Sequence, residues 1–176
     1  LSGAGAGDVL GHVLQIAGES YSETDESVLA TGRLLPVAAT AFDFTLPKRI
    51  GQDIEKLPAA DGGYDLAYLL GGVRDHVRRV AKLMDPVSGR GMEVLSDSRA
   101  LIFYTGIYLD GTLPGKGGTR YPKNSGLTLE TASLPDALHH KNFPNILLPP
   151  GEVYRQTCIY RFSADQEGDS RKWHEG

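Results

Sequence analysis

Glycine and proline interrupt this chain so often that long helices are excluded over most of its length. The 22 glycines and 10 prolines are spread through all 176 residues. Inside a helix a glycine costs about 1 kcal/mol and a proline about 3 kcal/mol relative to alanine. The apolar residues stand in short runs between these breaks, and runs of that kind bounded by turn residues read as strands. Strands are expected over residues 12–16, 64–70, 101–108, 126–131 and 153–162, and over residues 28–38 with an interruption at Thr31-Gly32 and a close at Pro36. Two further arms flank the strong turn at residues 85–90, which predicts a long hairpin. Residues 20–26 read as a polar, acidic loop, residues 52–57 as a short helix, and residues 135–140 as one or two helical turns with Asp136 near their start. Many strands, almost no helix and hairpin-length links specify an all-β fold, an antiparallel β-sandwich, and not βαβ units.

Composition narrows the function classes. Charged residues make up 23% of the chain and the net charge is −4, so there is no electrostatic footprint for nucleic acid. The densest basic patch, residues 74–82, is interleaved with Asp75 and valines and reads as the solvated face of one element. No apolar run approaches membrane-spanning length. Cys158 is the single cysteine, which rules out an internal disulfide; its apolar surroundings predict a small core residue. The glycine-rich stretch around residues 115–118 lacks the Gly-Lys-Ser/Thr spacing of a phosphate loop, and Lys116 and Arg120 are the cations near it. Residues 1–163 read as one domain, and the polar tail 164–176 is expected to be disordered.

Two carboxylates stand out as candidates for chemistry. Glu130 sits near the end of an apolar strand, between Leu129 and Thr131. A buried, unpaired acid there is costly, so it is either satisfied or solvated locally, or kept for chemistry. Asp65 follows Gly62-Gly63 and opens a strand; it reads either as a turn aspartate capping its own backbone or as a ligand-gripping group. The histidines do not form a zinc-binding spacing. His12 reads as a satisfied core or edge residue and His76 as part of a polar hairpin face, while His139 and His140 follow the Glu130 strand closely enough to approach it.

The order Phe103-Tyr104-Thr105-Gly106, Leu109-Asp110-Gly111-Thr112, Tyr121-Pro122, Ser125-Gly126, Leu129-Glu130-Thr131, Pro135-Asp136-Ala137, Phe143-Pro144 and Pro150-Gly151-Glu152 resembles the aldose 1-epimerase (galactose mutarotase) family. Thr31-Gly32, residues 40–44, Gly63-Tyr64-Asp65, Asp85-Pro86 and Ser88-Gly89-Arg90 fit upstream in the same order. The resemblance covers the chain to about Phe162 and implies the large antiparallel sandwich of that family, the supersandwich.

The same resemblance implies a reaction that interconverts the α and β anomers of a free hexose, galactose or glucose, by acid–base ring opening, with no cofactor and no metal. Glu130 matches the family's general base, and Asp65 matches the aspartate that binds sugar hydroxyls. Leu66 stands where the family usually has a histidine, and Ile102 where it usually has a sugar-site glutamine. The family's acid histidine lies just before an Asn-Leu-x-Gly stretch whose tail Leu1-Ser2-Gly3 resembles, so the acid is expected upstream of Leu1 and the chain is expected to be the C-terminal part of a longer sandwich, incomplete at its N-terminus. Alone it is then expected to be poorly soluble or inactive. The implied partner is a small sugar, with no nucleic acid and no membrane, for a monomer or weak dimer in the cytoplasm. Leu66 and Ile102 keep open a catalytically weak or inactive carbohydrate-binding module on the same fold. An epimerase of phosphorylated sugars is the third reading.

Overall fold

The computed structural model describes residues 1–3, 5–57, 62–72 and 76–164. Its strands are β1 (Val13–Ile16), β2 (Gly18–Thr24), β3 (Ala30–Pro36), β4 (Lys48–Arg49), β5 (Asp65–Leu70), β6 (Arg78–Met84), β7 (Arg90–Ser96), β8 (Ala100–Tyr104), β9 (Thr128–Ala132) and β10 (Cys158–Ala164). They form two antiparallel sheets, one in the order β10-β7-β6-β1-β4 and the other β3-β2-β5-β8-β9. The β-sandwich expected from the strand-and-turn pattern is the fold observed.

Period-two alternation decides which side chains enter the space between the sheets. On β5, Leu66, Tyr68 and Leu70 point inward, and on β8, Leu101 and Phe103 do. They meet Leu14, Ile16, Val80, Leu83 and Val94 of the opposite sheet. Phe44, Tyr64 and Phe103 form an aromatic centre with ring centroids 5.2–5.5 Å apart. Each fully buried side chain of this kind contributes about 1.5–3 kcal/mol. The tyrosine hydroxyls stay satisfied: Tyr68 donates to the Phe42 carbonyl at 2.8 Å and Tyr64 to that of Ala41 at 3.3 Å.

The other face of the β5–β8–β9 sheet is half covered. After β9 the chain crosses this face towards β3, laying Leu134, Ala137 and Phe143 over Ala67 and Ala100. The crossing is fastened at β3, where Asn142 donates to the Gly32 carbonyl at 2.8 Å and His140 Nε2 lies 3.2 Å from the Ala30 carbonyl.

Several local expectations are corrected. The loop expected over residues 20–26 starts only at Asp25, because β2 runs through Gly18–Thr24. One inward aromatic suffices to anchor it, since Tyr21 packs on Phe42 at 4.8 Å while polar residues take the alternate positions. The strand expected over residues 101–108 stops at Tyr104, because Gly106 turns the chain with φ of 70°. The last strand starts at Cys158, well after residue 153, because the preceding stretch is held across the sheet ends by Gln156, which donates to the Thr131 carbonyl and to Ser98 Oγ. Cys158 is exposed, not core, because β10 lies at a sheet edge and every one of its residues is exposed. Residues 135–140 form turns in place of a helix, with Asp136 at a positive φ of 57°. The short helix near residue 52 is a 3-10 helix, Ile50–Lys56. The hairpin about residue 85 is present as β6 and β7, with Asp85 accepting the Val87 and Ser88 amides. Ala164 closes β10, and the remainder of the expected tail, 165–176, lies outside the described residues.

Candidate active site

Asp65 is placed by the glycine pair before it. A side chain on Gly63 would collide with Ile107, Thr105 and Asn124, so only glycine lets the backbone run this close to the β8 end. Thr105 Oγ1 accepts the Tyr64 amide at 2.9 Å, and Asn124 Nδ2 donates to the Gly62 carbonyl at 2.9 Å. These bonds clamp the start of β5, and the alternation that sends Tyr64 and Leu66 inward turns Asp65 to the opposite, exposed face.

Glu130 reaches that same face from β9. Its strand is pinned one residue earlier, where Tyr160 donates to the Leu129 carbonyl at 3.0 Å from the opposite sheet. Leu129 is buried and Glu130 exposed. The register is unambiguous: Asp65 pairs with Tyr104 and Tyr104 with Thr128, while Ala67 pairs with Ile102 and Ile102 with Glu130. The two carboxylates therefore lie diagonally across β8. Strand spacing and rise put their Cα atoms about 12 Å apart. No described residue hydrogen-bonds to or ion-pairs with the Glu130 carboxylate, which is thus open to a ligand proton.

Ile102 and Tyr104 form the floor between the acids. Tyr104 accepts the Tyr108 amide on its hydroxyl at 3.1 Å, and the two rings stack at 6.1 Å and 25°. Neither tyrosine was singled out in the sequence, although the alternation Phe103-in, Tyr104-out was a sufficient signal for the first. Asp65 and Tyr108 also border a cavity of about 590 Å³ that reaches Tyr21, Ser22 and Phe42; Glu130 does not line it. The acids share a sheet face but not an enclosed pocket.

The histidines are elsewhere. His12 is buried, and burial lowers its pKa. His140 sits at the β3 edge, with β2, β5 and β8 between it and β9. His139 is exposed and paired with Asp136, whose hydrogen bond raises its pKa. Among the described residues no group of three His, Cys, Asp or Glu side chains could hold a metal, and no helix is long and apolar enough to cross a membrane.

The family model for aldose 1-epimerase matches residues 1–161. The chain belongs to the aldose 1-epimerase family. Galactose mutarotase of Rattus norvegicus is 39% identical over 163 residues, covering 93% of this chain and 47% of that protein. Aldose 1-epimerase of Escherichia coli K12 is 34% identical over 166 residues, covering 90% of this chain and 46% of that protein. Among solved structures, galactose 1-epimerase of Lactobacillus acidophilus superposes with a TM-score of 0.71 at 25% identity, over 89% of this chain and 45% of the other. An aldose epimerase homologue from C. elegans superposes with a TM-score of 0.74 at 24% identity, over 90% and 47%, a likeness of fold. The chain thus spans about half the length of the curated relatives it matches.

Proposed function

We propose that this protein is an aldose 1-epimerase that interconverts the α and β anomers of a free hexose, galactose or glucose. The observation that carries the reading is the diagonal of Asp65 and Glu130 on one sheet face in a chain of this family. Glu130 acts as general base on the C1 hydroxyl, and Asp65 accepts bonds from hydroxyls on the far side of the ring. An ionised carboxylate has only acceptor sites, so it orients a sugar by its hydroxyl protons. Loss of the C1 proton and protonation of the ring oxygen open the ring; rotation about C1–C2 and reclosure give the other anomer. Ring opening also needs a general acid at the ring oxygen. The sugar is the partner, and the protein acts as a monomer or weak dimer in the cytoplasm, a compartment that suits its single cysteine.

Polarimetry on freshly dissolved α-galactose and α-glucose tests this with the natural full-length protein. The expected result is mutarotation faster than the buffer rate, lowered about 10²–10⁴-fold by Glu130→Gln with an unchanged circular dichroism spectrum. Wild-type rates in that variant refute the assignment of the base. Sugar binding without acceleration identifies the inactive carbohydrate-binding module instead.

A further inference from the structure

A second cavity, of about 890 Å³, lies where the chain passes from β7 to β8 at the end of the sandwich. Its charged lining is two cations, Arg99 and Arg155, and two carboxylates, Asp97 and Glu152, with Ser133 and Asn145 beside them. Glu130 and Asp65 do not line it, and the site is independent of the sugar reading.

Arg99 is its unusual member. Its Nε–H is buried and has no hydrogen-bond partner among the described residues. Several acceptors of the flanking residues serve other donors. Arg78 donates to the Ser96 and Ser98 carbonyls, each at 3.1 Å. Gln156 Nε2 donates to Ser98 Oγ at 2.7 Å and to the Thr131 carbonyl at 3.0 Å. Asp97 Oδ1 accepts the Thr157 amide at 2.9 Å. A guanidinium donor hidden from water with no acceptor is costly, more so than a neutral one. Its charge is felt next door: the Arg78 pKa is lowered, first by burial and then by Arg99.

We propose that this cavity binds a phosphate monoester, with Arg99 as the anchoring cation and Arg155 as the second. A guanidinium fork matches phosphate oxygens two at a time, and two such forks suit a dianion better than a single carboxylate. Ser133 and Asn145 add hydroxyl and amide donors on the wall. The volume far exceeds what the anion alone needs, which leaves room for the organic part of an ester.

Calorimetric titration of the natural full-length protein at low salt tests this, using inorganic phosphate, α-glucose 1-phosphate and acetate as probes. The ester is expected to bind tighter than inorganic phosphate, and acetate weakest. Arg99→Gln is expected to weaken ester binding about 10-fold or more, the range for a hydrogen bond to a charged group, and Arg155→Gln to weaken it by a smaller factor. Arg120→Gln, outside the cavity, should leave it unchanged. No heat from the ester at millimolar concentration, equal affinity for the ester and inorganic phosphate, acetate binding as tightly as the ester, or full affinity in Arg99→Gln overturns the proposal. Should Arg99→Gln fail to fold, full affinity in Arg155→Gln overturns it.

Discussion

Replacing Gly63 by alanine probes the clamp that aims Asp65. The added Cβ would stand 2.4 Å from Ile107 Cγ2, 2.5 Å from Thr105 Oγ1 and 2.6 Å from Asn124 Oδ1. Comfortable heavy-atom contacts between carbons lie at about 3.5–4.0 Å, so each neighbour must retreat substantially. Thr105 and Asn124 cannot do so freely, because they hold the Tyr64 amide and the Gly62 carbonyl at 2.9 Å each. Overpacking of this sort costs about 1–3 kcal/mol, and each weakened bond adds about 1 kcal/mol. The expected loss is about 2–5 kcal/mol, which for a domain of this size lowers Tm by roughly 5–15 °C. Gly126→Ala is the control: nothing lies within 4 Å of a Cβ there, and the change should stay within about 0.5 kcal/mol. Thermal unfolding followed by circular dichroism reads both, and polarimetry should show a raised KM for sugar in Gly63→Ala as Asp65 shifts. Equal melting of the two variants refutes the steric reasoning; an unchanged KM with a lowered Tm refutes the link from the clamp to Asp65.

Two further outcomes follow from single residues. Ile102→Gln puts an amide between the two carboxylates, directly opposite Glu130 in the register; it should lower KM for galactose about 5-fold, the equivalent of one hydrogen bond of about 1 kcal/mol, and an unchanged KM shows that the sugar does not lie over Ile102. Asp85 is buried, which alone would raise its pKa, but hydrogen bonds from Ser88 and Val87 and the nearby His12 bring it from 3.8 down to about 2. With the folded value below the unfolded one, its stabilisation of about 2 kcal/mol is present above pH 4 and is lost as pH falls towards 2. Asp85→Asn should therefore flatten urea-melt stability over that window, and a variant that still loses the same stability there excludes Asp85 as the titrating group.

What was legible in the sequence was whatever local chemistry decides. The β6–β7 hairpin was readable because Asp85, Pro86 and Gly89 specify its turn, and β5 because Leu66, Tyr68 and Leu70 alternate with Asp65, Ala67 and Leu69. β2 was missed because its ladder partners, β3 and β5, supply the reason for it to be extended, and its own composition is polar. Cys158 was misread for a related reason: an apolar alternation says that a strand exists, while its place at the edge of a sheet decides whether the strand is covered. The buried Nε of Arg99 was invisible for the same cause, since the residues that bond its flanking Ser96 and Ser98, Arg78 and Gln156, come from distant parts of the chain.

The candidate site depends on parity, and the structure keeps parity where it matters. Register shifts occur between β2 and β3, between β2 and β5, and between β6 and β7. The ladders from β5 to β8 and from β8 to β9 run without one. An extra residue in either would turn Glu130 or Asp65 into the core, where an unpaired carboxylate is excluded on energetic grounds. The inward set of Leu66, Tyr68, Leu101, Phe103 and Leu129 enforces this, because each is buried and cannot exchange faces without exposing an apolar side chain. The positions of the two acids are thus consequences of core packing one residue away. Glu130 is legible as a strand-end acid from the sequence, but its relation to Asp65 exists only through β8, which carries no acid of its own and contributes the apolar floor between them.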